Sequence, residues 1–314
     1  MVNLMELNYI ASTNDNGKKL KEILKERLYI SNILLTRLKE SGGILVNGKI
    51  TFINYILKEN DEVKVIIPSE KNKFSDKFKL VNEKPNILFE DEYLLVVNKP
   101  PHMPVHPSSG NYDNTLANIV AYYLEEKGIN GIHIITRLDK DTSGICIFAK
   151  NKYIQELFIR KKEEVKLYKE YLCIVNGIVK KEHDIIEKNI ARKDNTIILR
   201  EVNENGDYAK TEYYTLKRDY INNYSILKII LHTGRTHQIR VHMSSISHVL
   251  LGDDLYANEY NIPNIRKLIS RQALHCKEVS FFHPITNKFI KIQAPIPDDM
   301  LNLIINHEYV EKFV

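Results

Sequence analysis

Beyond Lys169 the chain is punctuated by short runs rich in β-branched and aromatic residues, and this constrains its fold more than any other feature. Residues 171–175, 196–199, 211–216 and 224–231, with a closing hairpin of 278–282 and 289–292, are each too short and too β-branched for a helix-dominated domain. An earlier hairpin is expected where 88–89 and 93–97 flank Glu90-Asp91-Glu92, and helical spacing is expected over 115–127, 152–163 and 264–270. A further helix is expected after Thr236, which is placed to cap it. Together these elements predict an α+β domain with a mostly antiparallel, mixed sheet over 87–300, followed by a tail at 301–314.

A smaller α/β unit precedes it, over residues 12–68. Leu20, Ile23, Leu24 and Leu28 recur at helical spacing, Ser31 can cap a second helix carrying Leu34, Leu35 and Leu38, and Gly42-Gly43 ends that helix. Short strands follow at 44–46, 49–52 and 62–67, the first two joined by an Asn47-Gly48 turn. Residues 69–86 are polar and lysine-rich and read as a linker.

The formal net charge is +5, and most of the excess lies in residues 1–80, which hold 14 Lys and Arg against 10 Asp and Glu. A basic unit beside a nearly neutral one fits electrostatic docking to an anion such as nucleic acid, and a solvated surface explains the same surplus. Cys146, Cys173 and Cys276 are odd in number and lie in apolar runs, as reduced core thiols of a cytoplasmic protein would. No run approaches the roughly 18 apolar residues of a membrane span, so no membrane partner is expected.

The chemistry is narrowed by elimination. The chain has no Gly-x-Gly-x-x-Gly, no phosphate-binding loop ending Gly-Lys-Ser/Thr, no Gly-x-Ser-x-Gly and no His-Glu-x-x-His. His232, His237 and His242 recur every five residues, which does not stack them on one helical face, so hydrogen-bonding histidines are expected and no metal site. What remains is a charged knot, Arg137-Leu138-Asp139-Lys140-Asp141, entering an apolar strand through Thr142-Ser143-Gly144, together with Arg235 and Arg240. A carboxylate drawn from water needs a cation to stay ionised, and an arginine nearby would keep it ready as a nucleophile. Either Asp139 or Asp141 could serve, and a structural salt bridge is the competing reading of any such pair.

Several stretches in order resemble the RluA-type pseudouridine synthases, over about residues 87–297. They are Asn98-Lys99-Pro100 to His106-Pro107, Arg137-Leu138-Asp139 with Thr142-Ser143-Gly144, Lys169-Glu170-Tyr171, Ala209-Lys210-Thr211-Glu212-Tyr213, Thr233 to His242, Leu251-Gly252-Asp253, and Leu274-His275 with His283-Pro284. The unit at 12–68 resembles the S-four-like RNA-binding domain. The resemblance implies a pseudouridine synthase fold and isomerisation of uridine in structured RNA without a cofactor, in ribosomal RNA of the large subunit before transfer RNA. A cytoplasmic monomer is expected. By position it implies catalytic Asp139, Tyr171 and Arg240, substrate contacts from Arg137, Arg235, His237, Lys99 and His106, and RNA contacts from Arg37, Lys39 and Lys49. Two positions depart from the family pattern: Thr136 replaces the usual histidine before Arg-Leu-Asp, and His102 replaces a glycine in the proline-rich loop. The rival reading is a catalytically silent RNA-binding factor for ribosome assembly; a nucleosidase releasing free uracil is a third.

Overall fold

The computed structural model describes residues 5–68, 78–107 and 112–305. Of the expected linker, residues 69–77 lie outside the described residues, as do 306–314 of the expected tail. The chain opens with strand β1 (Met5–Ile10), followed by helices α1 (Leu20–Glu26) and α2 (Asn32–Ser41) and strands β2 (Ile44–Val46), β3 (Lys49–Ile50) and β4 (Glu62–Ile67). The Ser31 hydroxyl caps α2 by accepting the Leu34 N–H, and Gly42 ends it at φ +66°. The four strands form an antiparallel sheet in the order β1-β4-β2-β3. Sequence reading missed β1, because it is an edge strand on which Leu7 is the one residue classed as buried, so its apolar alternation is faint.

The larger sheet begins with the hairpin β5 (Ile87–Glu90) and β6 (Leu94–Lys99). Helix α3 (Leu116–Glu126), strands β7 (His133–Ile134) and β8 (Ser143–Ala149), helices α4 (Lys152–Arg160) and α5 (Lys162–Val165), and strand β9 (Tyr168–Asn176) come next. After β10 (His183–Glu187), a small ribbon of β11 (Ile190–Arg192) and β12 (Arg200–Val202) stands apart from the sheet, and β13 (Lys210–Asp219) and β14 (Tyr224–Leu231) return to it. Helices α6 (Gln238–Ser244) and α7 (Asp254–Glu259), strands β15 (Leu274–Phe282) and β16 (Phe289–Gln293), and helix α8 (Asp298–Ile305) complete the order. The sheet runs β10-β13-β14-β9-β15-β8-β6-β5, with β16 on β15 and β7 on β8. Among the described residues every pairing in it is antiparallel except β15 with β8, so the sheet is mixed and mostly antiparallel, as expected.

Two expected elements are absent. Residues 196–199 form the loop of the β11–β12 hairpin and not a strand: Asn195 turns at φ +60°, the Thr196 hydroxyl accepts the Leu199 N–H at 2.8 Å, and Ile197 is 83% exposed. Residues 264–270 are a series of turns starting at Asn264 with φ +56°; the helix lies earlier, at α7, where the Asp253 carboxylate caps it through the Tyr256 N–H. Helix α8 runs across the boundary expected at residue 300 and buries Met300, Leu303 and Ile304.

Both faces of β8 are covered, which is why all seven of its residues are buried. On one side Leu116, Val120 and Leu124 of α3 pack against Leu95, Val97, Cys146 and Phe148. On the other, Tyr153, Leu157 and Phe158 of α4 join the same core as Leu24, Leu38 and Val65 of the small sheet. The Tyr153 hydroxyl donates to the Leu28 carbonyl at 2.8 Å, and Tyr29 donates to Glu164 at 2.7 Å across the same seam. A third cluster packs α6, α7 and α8 against Leu172, Ile174 and Ile226.

The parallel crossing of β8 and β15 requires a glycine. Gly144 pairs with Cys276 at φ +110°, and a Cβ there would stand 2.3 Å from the Cys276 carbonyl oxygen. Gly144→Ala should therefore cost at least about 2 kcal/mol of stability. Urea unfolding measures this, and a loss under about 0.5 kcal/mol would show that the strands part without strain.

Candidate active site

The knot closes on itself before β8 begins, with the Thr142 N–H donating to the Asp139 carbonyl at 3.1 Å. This turn delivers Asp139 to the wall of a cleft of about 550 Å³ whose lining includes Tyr171 of β9, Arg137 of the knot, and Arg235, His237 and Arg240 of the segment leading into α6. The Asp139 carboxylate is 27% exposed and accepts a hydrogen bond from Arg240 Nη1 at 3.3 Å. Arg240 itself is buried and carries a second carboxylate: its Nε and Nη2 donate to the two oxygens of Asp253 at 2.7 and 2.8 Å. Burial opposes the guanidinium charge, but Asp253 and Asp139 more than offset it and keep the cation firmly protonated. The two aspartates have different tasks. Asp253, almost wholly buried, neutralises and aims the arginine; Asp139 receives its remaining edge and stays open to the cleft.

Sequence reading missed Asp253 as a site residue. Its signal was the Leu251-Gly252-Asp253 match, and the ion pair could not be inferred from a separation of 13 residues.

His237 sits at the N-terminus of α6 with φ +57°, so the helix starts after it and Thr236 is not its cap. Its Nδ1 is hydrogen-bonded to the Tyr256 hydroxyl at 3.0 Å, and Nε2 lies 3.9 Å from Asp139. Because Tyr256 also accepts the Arg200 N–H, its own proton is free to reach Nδ1, which favours the tautomer with the ring proton on Nε2, toward Asp139. Burial lowers the His237 pKa, so the ring is neutral at pH 7. Gln238, the first residue of α6, instead ties the turn before the helix to β13: its side-chain oxygen accepts the Arg235 N–H at 2.9 Å while its amide donates to the Lys210 carbonyl and the Thr211 hydroxyl. His242, with Nδ1 on Thr211 and Nε2 on the Lys188 carbonyl, is a structural histidine.

Tyr171 is buried, and burial, with Cys276 adding to it, holds its hydroxyl well above the usual tyrosine range, so it is neutral. Two residues earlier on β9, Lys169 also lines the cleft; burial lowers its pKa. The family resemblance assigns it no role. His106, Arg137 and Arg235 line the cleft as exposed residues, and Arg235 is steadied by the Tyr208 carbonyl at 3.0 Å.

Lys99 is a correction. Expected against substrate, it is fully buried, and its ammonium donates to the carbonyls of Pro100, Met103 and Lys140 at 2.8, 2.8 and 2.9 Å. Burial pulls its pKa down to about 8, and all three donors are engaged, so it ties the proline-rich loop to the knot. Arg37 and Lys39 on α2 and Lys49 on β3 belong to the small sheet unit and do not line the cleft. The two departures from the family pattern have local explanations. His102 occupies φ +62°, the conformation a glycine would suit, and its Nδ1 pairs with Asp141 at 2.8 Å. The Thr136 hydroxyl accepts the Ile147 N–H at 2.9 Å, fixing the knot to β8.

A family model for RNA pseudouridylate synthase matches residues 93–245. An uncharacterized RNA pseudouridine synthase of Bacillus subtilis, YjbO, is 36% identical over 280 residues, covering 88% of this chain and 95% of its own. The chain belongs to the RluA-type RNA pseudouridine synthases. A ribosomal large subunit pseudouridine synthase D of Vibrio cholerae is 31% identical over 318 residues, covering 96% of this chain and 95% of the relative. The solved structure of human RNA pseudouridylate synthase domain containing 1 superposes with a TM-score of 0.54 at 24% identity, over 68% of this chain and 84% of that one, and shows the same fold. As an RNA pseudouridine synthase the protein is an isomerase acting on RNA. Among the described residues no helix is long and apolar enough to cross a membrane.

If Asp253 neutralises Arg240, Asp253→Ala leaves a buried guanidinium with one partial partner and should cost about 3–5 kcal/mol, with Asp253→Asn costing less. Denaturant unfolding of the two variants checks the order; equal losses would mean that the carboxylate's charge is not what Arg240 requires.

Proposed function

We propose that Asp139 carries the isomerisation and that the protein modifies a uridine of large-subunit ribosomal RNA. The observation that supports this most is the Asp139 carboxylate in the cleft, held by a guanidinium that is itself anchored to Asp253. The reaction breaks the bond from ribose C1′ to uracil N1, turns the base within the site and rejoins it through C5. It involves no net redox change. A positioned carboxylate can trap or stabilise the sugar cation, as in retaining glycosidases, or start a route that removes a ribose proton. In this reading Arg240 orients the Asp139 carboxylate, and Tyr171 stacks on the uracil. The uridine must leave its helix to reach the cleft, and Arg137, exposed beside Asp139, is suited to take the vacated place. Arg235, His237 and His106 line its path. Lys99 is withdrawn from this set because its donors are engaged elsewhere.

The small sheet unit, with Arg37, Lys39 and Lys49 near RNA phosphate, would dock the substrate, and its affinity would fall with salt. The choice of ribosomal RNA follows the name of the Vibrio cholerae relative, and the protein would act in the cytoplasm as a monomer.

RNA carrying tritium at uracil C5 should release label with the wild-type protein and lose at least 10³-fold of that rate with Asp139→Asn; wild-type-like release by the variant would remove Asp139 from the chemistry. Pseudouridine mapping in cells with and without the protein should lose a site in large-subunit ribosomal RNA, and loss confined to transfer RNA would overturn the substrate assignment. Replacing Arg37, Lys39 and Lys49 together by glutamate in the full chain should weaken RNA binding or change site choice, and unchanged affinity and selectivity would refute the docking role.

A further inference from the structure

Most cations around the cleft have protein partners. Arg240 faces two aspartates, Lys99 three carbonyls, and Arg235 a carbonyl and Asp207. Lys169 does not: among the described residues its ammonium makes no hydrogen bond or ion pair, although it lines the cleft and its stem is drawn into the interior. It lies two residues before Tyr171 on β9, so both side chains leave the same face of the strand, with their Cα atoms about 7 Å apart. Gly234 lies against it: a Cβ at that position would come 3.4 Å from the Lys169 Nζ, so the ammonium faces the Thr-Gly-Arg turn. A half-buried cation without an anion, aimed into a cleft that an RNA base must enter, has its partner in the substrate.

We infer that Lys169 is a further catalytic residue, whose ammonium donates a hydrogen bond to a carbonyl oxygen of the departing uracil. The inference rests on the reading that Asp139 works in this cleft. When the C1′–N1 bond breaks, its electron pair leaves with the base, and the uracil becomes an anion with charge shared between N1 and its two carbonyl oxygens. The electron deficiency at C1′ is met either by Asp139 or by prior removal of a ribose proton; on both routes the base departs negative. A fixed cation at the oxygen stabilises that charge as it develops, and does so more strongly in the transition state than with the neutral bound base. The uracil anion then turns and C5 bonds to C1′, breaking the C1′–Asp139 bond on the first route or adding to the C1′–C2′ double bond as the ribose proton returns to C2′ on the second; the C5 proton leaves to a base and N1 gains one in a later step in which Lys169 has no part. Arg137 and Arg235, exposed at the cleft, are better suited to phosphates, which arrive already charged.

The test compares wild type, Lys169→Met, Lys169→Arg and Asp139→Asn on the full chain. Single-turnover tritium release is measured at saturating RNA, and RNA affinity across salt concentrations is measured in the Asp139→Asn background. Lys169→Met should lower the saturated rate at least 10²-fold while leaving the Kd within threefold and its salt dependence unchanged, and Lys169→Arg should recover at least tenfold of the loss. Circular dichroism melts establish that each variant is folded; should Lys169→Met fail to fold, Lys169→Gln takes its place. A variant with a wild-type saturated rate, or one whose defect is a weakened Kd with a shallower salt slope, would overturn the inference and make Lys169 idle or a phosphate contact. If Asp139→Asn loses activity while Lys169→Met does not, only this inference fails; if Asp139→Asn stays active, the reading of the cleft fails with it.

Discussion

The site depends on one buried guanidinium shared unequally between two carboxylates. Removing an arginine from water is expensive, and a single exposed carboxylate at 3.3 Å would be a poor return for it. The bidentate contact to Asp253 largely meets that cost, so the contact to Asp139 can remain partial. This asymmetry lets Asp139 be both oriented and reachable. Deeper burial would hold it more tightly and hide it from a substrate, whereas full exposure would leave nothing to orient it. The protein therefore fixes the reactive carboxylate by charge from behind and leaves its front to the cleft.

The same economy extends along the knot. Three consecutive residues are each held by a different buried cation: the Asp139 carboxylate by Arg240, the Lys140 carbonyl by Lys99 and the Asp141 carbonyl by Arg271. Arg271 is in turn paired through two hydrogen bonds to Asp299 at the start of α8, so the C-terminal helix bears on the knot through one side chain. Gly252 permits this closeness: a Cβ there would collide with the Arg271 carbonyl at 1.9 Å. A turn made of Asp, Lys, Thr and Ser would otherwise be a solvated loop with many conformations. Cations arriving from α6, from the end of β6 and from the approach to β15 turn it into a fixed part of the scaffold.

How much of this was legible follows from the range of each interaction. The Ser31 cap, the Asn47-Gly48 turn, the β15–β16 hairpin and the α3 stripe are local, and their residues announce them. Residues 196–199 misled because Ile197-Ile198 reads as a strand when separation from the core is invisible; exposed isoleucines at a hairpin tip carry the same letters as buried ones. The segment 264–270 misled in the same way, since Ile265 and Ile269 are buried from turns and not from a helix. Asp139, Tyr171 and Arg240 were found through the order of matched stretches, and all three meet at one cleft. The roles of Asp253, Arg271 and Lys99 escaped because they are set by which charge meets which across separations of up to 130 residues. Composition places a lysine in a motif and does not say whether its donors end on carbonyls.

That last distinction governs how the cleft meets RNA. A cation whose donors are engaged by the protein adds to the local potential but cannot follow charge that appears during a reaction, since each hydrogen bond it could offer is already made. Lys99 and Arg271 are of this kind, and Arg240 is held by two carboxylates, so their effect on substrate passes through the geometry of the knot. Among the described residues Arg137 and Lys169 donate no hydrogen bond and form no ion pair through their side chains, and they differ in setting: one is exposed, the other drawn into the floor beside Tyr171. An exposed guanidinium in water and salt is suited to long-range attraction and to replacing a base in its stack. A half-buried ammonium, poorly hydrated in the free protein, is suited to a charge that develops close by, because little solvent must be displaced when it responds. Two residues of the same sign in one cleft are thus separated in task by their depth.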